Sequence, residues 1–225
     1  KLALLLSTLC AAGAALADIT IGVSVSATGP AASLGIPEKN TFALLPPTIA
    51  GEKVKWIVLD DAADSSNAVK NARKMISEDK VDVLIGSSTV PTSLALVEVA
   101  NETKTVQLAL APILPAADKR AWVFVMPQSS AVMASAIVEH MQASGVKTMG
   151  FIGYNDPFGE GYFKEVAPLA EKAGIKIVAS ERYNRTDTSV TAQILKIVSA
   201  NPEAVLIVGS GTPAALPHST LFERG

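Results

Sequence analysis

The chain has 225 residues, of which 49% are hydrophobic and 18% are charged, and its formal net charge is −2. This composition is that of a folded globular protein of one or two domains, and it excludes an intrinsically disordered chain. The near-neutral charge gives no support for nucleic acid or an anionic membrane surface as a partner.

The N-terminal residues have the pattern of a secretory signal peptide. Lys1 is followed by an apolar stretch, Leu2 to Ala17, which ends in the small-x-small sequence Ala-Leu-Ala. Such a stretch is typical of an export signal and is too short to span a membrane. Cys10 would suit a lipid anchor, but the bulky Leu9 precedes it. We therefore predict cleavage after Ala17 and a periplasmic mature chain, which has no cysteine left for an intrachain disulfide.

Beyond Asp18, short apolar runs alternate with helical patterns. Residues with strand character occupy 19–26, 54–60, 81–85, 106–111, 122–126, 148–154, 175–180 and 204–208. Helical spacing occupies 37–45, 65–78, 91–100, 131–143, 158–173 and 189–199. Pro168 falls inside one of these helices, and we expect a kink or break there, because an interior proline costs about 3 kcal/mol.

This alternation predicts an α/β fold with parallel sheets covered on both faces. Two such runs, separated by a crossover near Pro127 to Ser130, predict two doubly wound parallel-sheet lobes, one at 18–128 and one at 129–225. Ligands of open α/β sheets bind beyond the carboxyl ends of the strands, so those ends are the candidate site.

The most informative strand end is the sequence Ile85-Gly-Ser-Ser-Thr-Val-Pro-Thr-Ser93. A buried strand delivers three hydroxyls, Ser87, Ser88 and Thr89, to the start of a helix that Pro91 opens. Hydroxyls and free N–H groups at a helix N-terminus bind anions such as carboxylates. The alternative is that Ser88 or Thr89 only caps the helix, which is a common use of these residues.

Other chemistry-bearing residues have no catalytic or metal-binding pattern. His140 and His218 have no partners at metal-ligand spacing, and the serines lack a nucleophile frame and a histidine base. For Asp60 and Asp61 a turn role after a strand is favoured over metal or acid–base work. We therefore expect no enzyme activity, no cofactor and no metal.

Five strand-end sequences together carry a family resemblance. They are Ser24 to Pro30, Asp60-Asp61, Ile85 to Thr89, Gly150 to Tyr154 with Phe158 to Gly161, and Gly209 to Pro213. In this order they resemble the periplasmic substrate-binding proteins of branched-chain amino acid (Leu/Ile/Val) ABC importers. The resemblance implies a type I periplasmic binding fold of two α/β lobes that close on a ligand, with the second lobe incomplete in this chain because the family continues beyond residue 225.

The resemblance also implies the ligand-binding residues. The turn of Ser87, Ser88 and Thr89 would hold a ligand carboxylate, and Leu110, Ala111 and Pro112 match a first-lobe loop that lines the site. In the second lobe Phe158 matches an aromatic residue of the cleft and Gly211 matches a strand-end position.

Three positions depart from the family pattern. Leu34 stands where amino-acid binders have a tyrosine, Pro112 replaces a hydroxyl residue, and Gly211 has no side chain. These departures favour a larger or less polar ligand than leucine, and the resemblance extends to relatives that bind amides, aromatic acids or other small carboxylates. The implied partners are this small molecule and an ABC permease. A sensory receptor domain with the same fold is the alternative function.

Overall fold

The computed structural model describes residues 18–224, and the predicted signal peptide at 1–17 lies outside the described residues. The strands are β1 (Ile19–Val25), β2 (Thr48–Ile49), β3 (Glu52–Asp60), β4 (Val83–Gly86), β5 (Val106–Ala109), β6 (Val123–Val125), β7 (Thr148–Tyr154), β8 (Lys176–Tyr183) and β9 (Ala204–Val208). The helices are α1 (Ala32–Ala43), α2 (Ser65–Ser77), α3 (Val90–Thr103), α4 (Ser130–Ala143), α5 (Pro157–Lys172), α6 (Thr191–Ser199) and α7 (Ala215–Glu223).

The first lobe is built on a six-stranded sheet of order β2-β3-β1-β4-β5-β6, parallel except for the β2–β3 hairpin. Alternating side chains of its strands face opposite layers. Leu84 packs under α2 and α3 with Met75 and Leu96, whereas Val23 faces the side on which α1 contributes Phe42. Because the chain runs from β1 to β3 on one side and later to β4 on the other, its topological switch point lies between β1 and β4.

The second lobe is built on a parallel three-stranded sheet of order β8-β7-β9. Phe151 of β7 belongs to the cluster with α4 and α5, and the next residue, Ile152, belongs to the cluster with Ile194 of α6. This sheet is therefore also covered on both faces, and its switch point lies between β7 and β9.

These two separate sheets confirm the predicted α/β fold with two doubly wound parallel-sheet lobes. The lobe boundary at residues 128 and 129 stays a prediction. β7 and β9 have the bounds that the apolar runs predicted. β7 is the central strand of its sheet and β9 pairs with it, so the apolar run coincides with the paired segment.

Two helices differ from their predictions. α1 begins at Ala32 instead of residue 37, because Gly35 lets the helix lie directly on the end of β1: a Cβ at Gly35 would be 2.2 Å from the Ser26 carbonyl. α5 runs through Pro168 without a break. Pro168 is exposed, so water can bind the carbonyl that lacks its N–H partner.

Among residues 18–224, the helices are too short or too polar to cross a lipid bilayer.

Candidate functional site

Each lobe brings two strand ends together at its switch point. In the first lobe the backbone N–H of Ser26, after β1, donates to Ser88 Oγ, after β4, at 2.8 Å. In the second lobe the Tyr154 hydroxyl, at the end of β7, donates to the Ser210 carbonyl, after β9, at 2.7 Å. These contacts fix the loops that border the cleft between the lobes.

The hydroxyl-rich turn of the first lobe is organised by the buried carboxylate of Asp61. Its Oδ2 accepts from Ser24 Oγ at 2.7 Å and from Ser87 Oγ at 2.5 Å, and its Oδ1 accepts from Ser26 Oγ at 2.7 Å and from the Ala63 N–H at 3.0 Å. Asp61 is fully buried, and four donors replace the water that it would otherwise bind. The favoured turn role for Asp61 is thus realised as a structural hub, and the Ser87 hydroxyl is engaged there and not directed to the cleft.

Ser88 is held between a backbone donor and a second carboxyl group. Its Oγ accepts from Ser26 and donates to Glu38 of α1. Burial raises the pKa of Glu38, the Ser88 hydrogen bond opposes this shift, and the charge of Asp61 adds to it. The backbone N–H of Ser88 has no acceptor within residues 18–224, so it is the free donor of this turn.

Thr89, and not Ser88, caps the following helix. Thr89 Oγ1 accepts from the N–H of Thr92 at 3.4 Å, and the Thr92 hydroxyl oxygen accepts from the N–H of Thr89 at 3.3 Å. This reciprocal arrangement satisfies two donors at the start of α3. The capping alternative therefore holds for Thr89.

Two adjoining cavities lie between the lobes. The larger, about 660 Å³, has Val90, Leu94 and Pro112 to Leu114 of the first lobe on one side and residues 155–165 of the second on the other. The smaller, about 270 Å³, has Thr89 and Pro91 on the first-lobe side and Arg185 on the second-lobe side. Asn155 and Asp156 border both, so the two cavities form one cleft.

The structure brings only part of the predicted residue set into this cleft. Phe158 and Pro112 line the larger cavity, and Thr89 lines the smaller one. Phe158 also packs on core residues of both lobes, next to Val90 and Ala111 of the first. Six predicted residues line neither cavity in the described part of the chain: Ser87, Ser88, Leu110, Ala111, Leu34 and Gly211.

Leu34 and Gly211 meet each other at a second contact between the lobes. A Cβ at Gly211 would lie 3.6 Å from Leu34 Cγ and 2.9 Å from Ser33 Oγ, and Gly211 has a positive φ of 68°. The missing side chain at Gly211 is thus what permits the close approach of the lobes here.

Sequence reasoning missed the ion pair of Arg185 and Asp156 at the second-lobe side of the cleft. Arg185 Nε donates to Asp156 Oδ2 at 2.7 Å, and the guanidinium lies 4.0 Å from the Tyr154 ring centroid. Asp156 also caps α5 by accepting from the N–H groups of Phe158 and Gly159. The signal was available, since Asn155-Asp-Pro157 is a helix-start pattern. The partner Arg185 is 29 residues away and could not be read from local sequence.

The chemistry that this arrangement supports is reversible binding. The cleft offers hydroxyl and backbone donors, one guanidinium and an apolar wall with an aromatic ring, which is the usual composition of a small-molecule site. Within the described range 18–224, no group of three or more metal-ligating side chains converges.

Two parallel-sheet lobes with facing switch points and a shared cleft define a bilobal ligand-binding protein of the α/β class. The chain belongs to the periplasmic binding protein family, which matches residues 18–218. This is a family of solute-binding proteins, and its description implies an exported, periplasmic protein.

Three similar proteins illustrate the relationship. An "amino acid binding protein" of Pseudomonas aeruginosa is 28% identical over 94% of this chain and 59% of its own length. "Leu/Ile/Val-binding protein homolog 3" of Brucella melitensis is 26% identical over 95% of this chain and 60% of its own. The crystal structure of an extracellular ligand-binding receptor from Rhodopseudomonas palustris HaA2 is 47% identical, with a TM-score of 0.90, over 93% of this chain and 58% of its own. The chain thus spans about three fifths of the length of these relatives.

Proposed function

We propose that this chain is part of an exported solute-binding protein that captures an amino acid or a small carboxylate between its two lobes and delivers it to an ABC importer. The observation that carries the proposal is the pair of adjoining cavities between the lobes. The smaller one is lined by Pro30 and Thr89, from the loops after β1 and β4, and by Asn155 and Asp156, from the loop after β7. Ligands of open α/β sheets bind at this place.

The first lobe supplies the donors for a ligand carboxylate in this proposal. Thr89 lines the smaller cavity at the N-terminus of α3, where the helix dipole favours an anion, and the free N–H of Ser88 lies in the turn directly before it. The hydroxyls of Ser87 and Ser88 fix the turn through Asp61 and Glu38. The relatives support this proposal, since two of them are named as amino-acid-binding proteins.

The second lobe and the apolar wall select the rest of the ligand. Phe158 and Pro112 face the larger cavity, and neither offers a hydrogen bond from its side chain. Ala111 packs with Phe158 in the core behind this wall, and we propose a ligand with an apolar or aromatic body. Gly211 lies outside this cavity, at the contact with Ser33 and Leu34.

Calorimetric titration of the full natural-length protein tests the binding function. The probes are leucine, phenylalanine, benzoate and 4-hydroxybenzoate, each over a wide concentration range. At least one should bind with 1:1 stoichiometry and raise the unfolding temperature, because a ligand that binds only the folded state stabilises it. Failure of all such amino acids and carboxylates would contradict the proposal.

Delivery to an importer requires a separate measurement. The loaded protein should stimulate ATP hydrolysis by its ABC permease complex in liposomes, and the unloaded protein should do so less.

A receptor role is the second candidate, and it is favoured by the name of the Rhodopseudomonas relative, an extracellular ligand-binding receptor. A receptor would bind the same probes without stimulating any permease.

A further inference from the structure

The guanidinium of Arg185 is held rigidly at the second-lobe wall of the cleft. Its Nε is paired with Asp156, its Nη1 donates to Ser210 Oγ at 3.2 Å, and its face lies on Tyr154. Only 12% of the side chain is exposed. Contacts from two separate segments, residues 154–156 and Ser210, therefore fix the orientation of this cation before any ligand arrives.

Most of the donors of Arg185 remain available. A guanidinium carries five N–H groups, and it stays charged at every physiological pH. Two of the five are engaged by Asp156 and Ser210, and the other three have no acceptor within residues 18–224. Charge-assisted hydrogen bonds from such a group to a carboxylate are about twice as strong as neutral ones.

The N-terminus of α5 adds positive charge beside the ion pair of Asp156 and Arg185. The same carboxylate accepts from the N–H groups of Phe158 and Gly159 at 2.8 and 3.2 Å, so it also offsets the positive N-terminus of α5. Of the residues that line the smaller cavity, Asp156 and Arg185 are the two charged ones. The formal charges of this pair sum to zero, and the N-terminus of α5 adds a partial positive charge to the wall.

The opposite wall of the same cavity belongs to the first lobe. Thr89 and Pro91 at the start of α3 lie there, together with Pro30 and Ala63. A carboxylate in this space would face Thr89 on one side and the free N–H groups of Arg185 on the other. It would bridge the two lobes, and its binding would favour the closed arrangement.

We propose that Arg185 recognises the carboxylate of the ligand from the second lobe and sets a preference for acids over their neutral analogues. The inference deepens the proposed function and rests on it. It assigns the ligand to the small carboxylic acids, with the acid group between Thr89 and Arg185 and the apolar body along Phe158.

Matched acid and amide probes test this assignment on the full natural-length protein. Calorimetric titrations would compare benzoate with benzamide, 4-hydroxybenzoate with 4-hydroxybenzamide, and 4-methylpentanoate with its amide. For a pair that binds, the acid should bind the wild type at least tenfold more tightly than the amide. In Arg185→Gln the ratio of the acid affinity to the amide affinity should fall close to one. In Arg185→Lys, which keeps the charge, the ratio should lie between the values for the wild type and Arg185→Gln.

Arg182 offers a matched control only three residues away. It too is ion-paired, with Glu160, and its guanidinium stacks on Phe151 and Phe163 at 4.8 and 4.6 Å. It does not line the smaller cavity. Arg182→Gln should therefore leave the acid-to-amide ratio unchanged even if it lowers stability.

The ratio separates recognition from a structural role. If Arg185→Gln weakens acid and amide equally, Arg185 only supports the loop and the inference is wrong. A wild-type protein that binds amides as well as acids contradicts the inference but leaves the binding function standing. If the wild type binds none of the amino acids, acids or amides, the proposed function itself fails and the inference falls with it.

Discussion

The hydroxyl of Ser33 in the first lobe accepts a hydrogen bond from the backbone N–H of Thr212 in the second, at 2.8 Å, across 179 residues of sequence. Ser33 lies in the first turn of α1, and Thr212 follows Gly211, whose left-handed backbone directs the N–H toward the other lobe. This contact ties the lobes together beside the ligand cleft. Any change that pushes the two residues apart should favour an open arrangement.

Gly211→Ala should weaken ligand binding by opening this contact. The new Cβ would stand 2.9 Å from Ser33 Oγ, and alanine at a positive φ costs roughly 1–2 kcal/mol. We expect a several-fold loss of affinity in calorimetric titration and a larger radius of gyration in solution scattering. Gly174→Ala is the matched control, because Gly174 has a φ of 73° and open space within 4 Å. Equal affinity losses in the two variants would show that backbone strain alone is responsible.

Asp61→Ala should destabilise the first lobe strongly. The change leaves three buried serine hydroxyls and the N–H of Ala63 without their acceptor. Since each buried unsatisfied group costs about 1–3 kcal/mol, we expect a loss of about 3 kcal/mol in the free energy of unfolding by urea. Asp118→Ala, at an exposed position, should change it by less than about 0.5 kcal/mol. A loss at Asp61 as small as this would contradict the hub role.

Glu38→Gln should change how stability depends on pH. Burial raises the pKa of Glu38 above its usual 4.5, so the folded state holds its proton more tightly than the unfolded state. The wild type therefore gains stability from this group below pH 4.5 and loses it as the pH rises through the folded-state pKa. Glutamine keeps an acceptor for the Ser88 hydroxyl and does not titrate.

Urea unfolding at pH 4 and pH 7 measures this effect. The free energy of unfolding of Glu38→Gln, relative to that of the wild type, should increase as the pH rises from 4 to 7. Glu102→Gln is the control, since Glu102 is 54% exposed in a surface ion pair with Arg73. A difference that stays constant between the two pH values would mean that the carboxyl group of Glu38 titrates normally.

Thr89 should combine a capping and a binding role. Thr89→Ala removes the cap of α3, which costs about 1 kcal/mol of stability, and also truncates a residue that lines the smaller cavity together with Arg185. We expect lower stability in denaturant melts together with at least a fivefold loss of carboxylate affinity. Thr89→Ser keeps the hydroxyl and should preserve both properties. Lower stability with unchanged affinity in Thr89→Ala would leave Thr89 as a cap only.

The sequence by itself determined the alternation of strands and helices, and hence the two-lobed α/β fold. Each short apolar run, such as Thr148 to Tyr154, forms one buried strand. Whether a run forms a strand can be predicted from the residues next to each other in the sequence. The same local logic identified the turn at Ser87 to Thr89 and the helix that begins after it. The family resemblance came from the order of these strand ends, and the family match confirms it.

Only the tertiary structure decided what those strand ends do. Parallel pairing sets β1 beside β4, and this brings Ser26 to Ser88 and encloses Asp61 among hydroxyls that lie 26 to 37 residues away. The continuation of α5 through Pro168 likewise depends on which face of the helix meets water. The position of Arg185 depends on contacts with two distant segments, residues 154–156 and Ser210. The register of parallel strands and the packing of the lobes are non-local, and no pattern within a short window of sequence contains them.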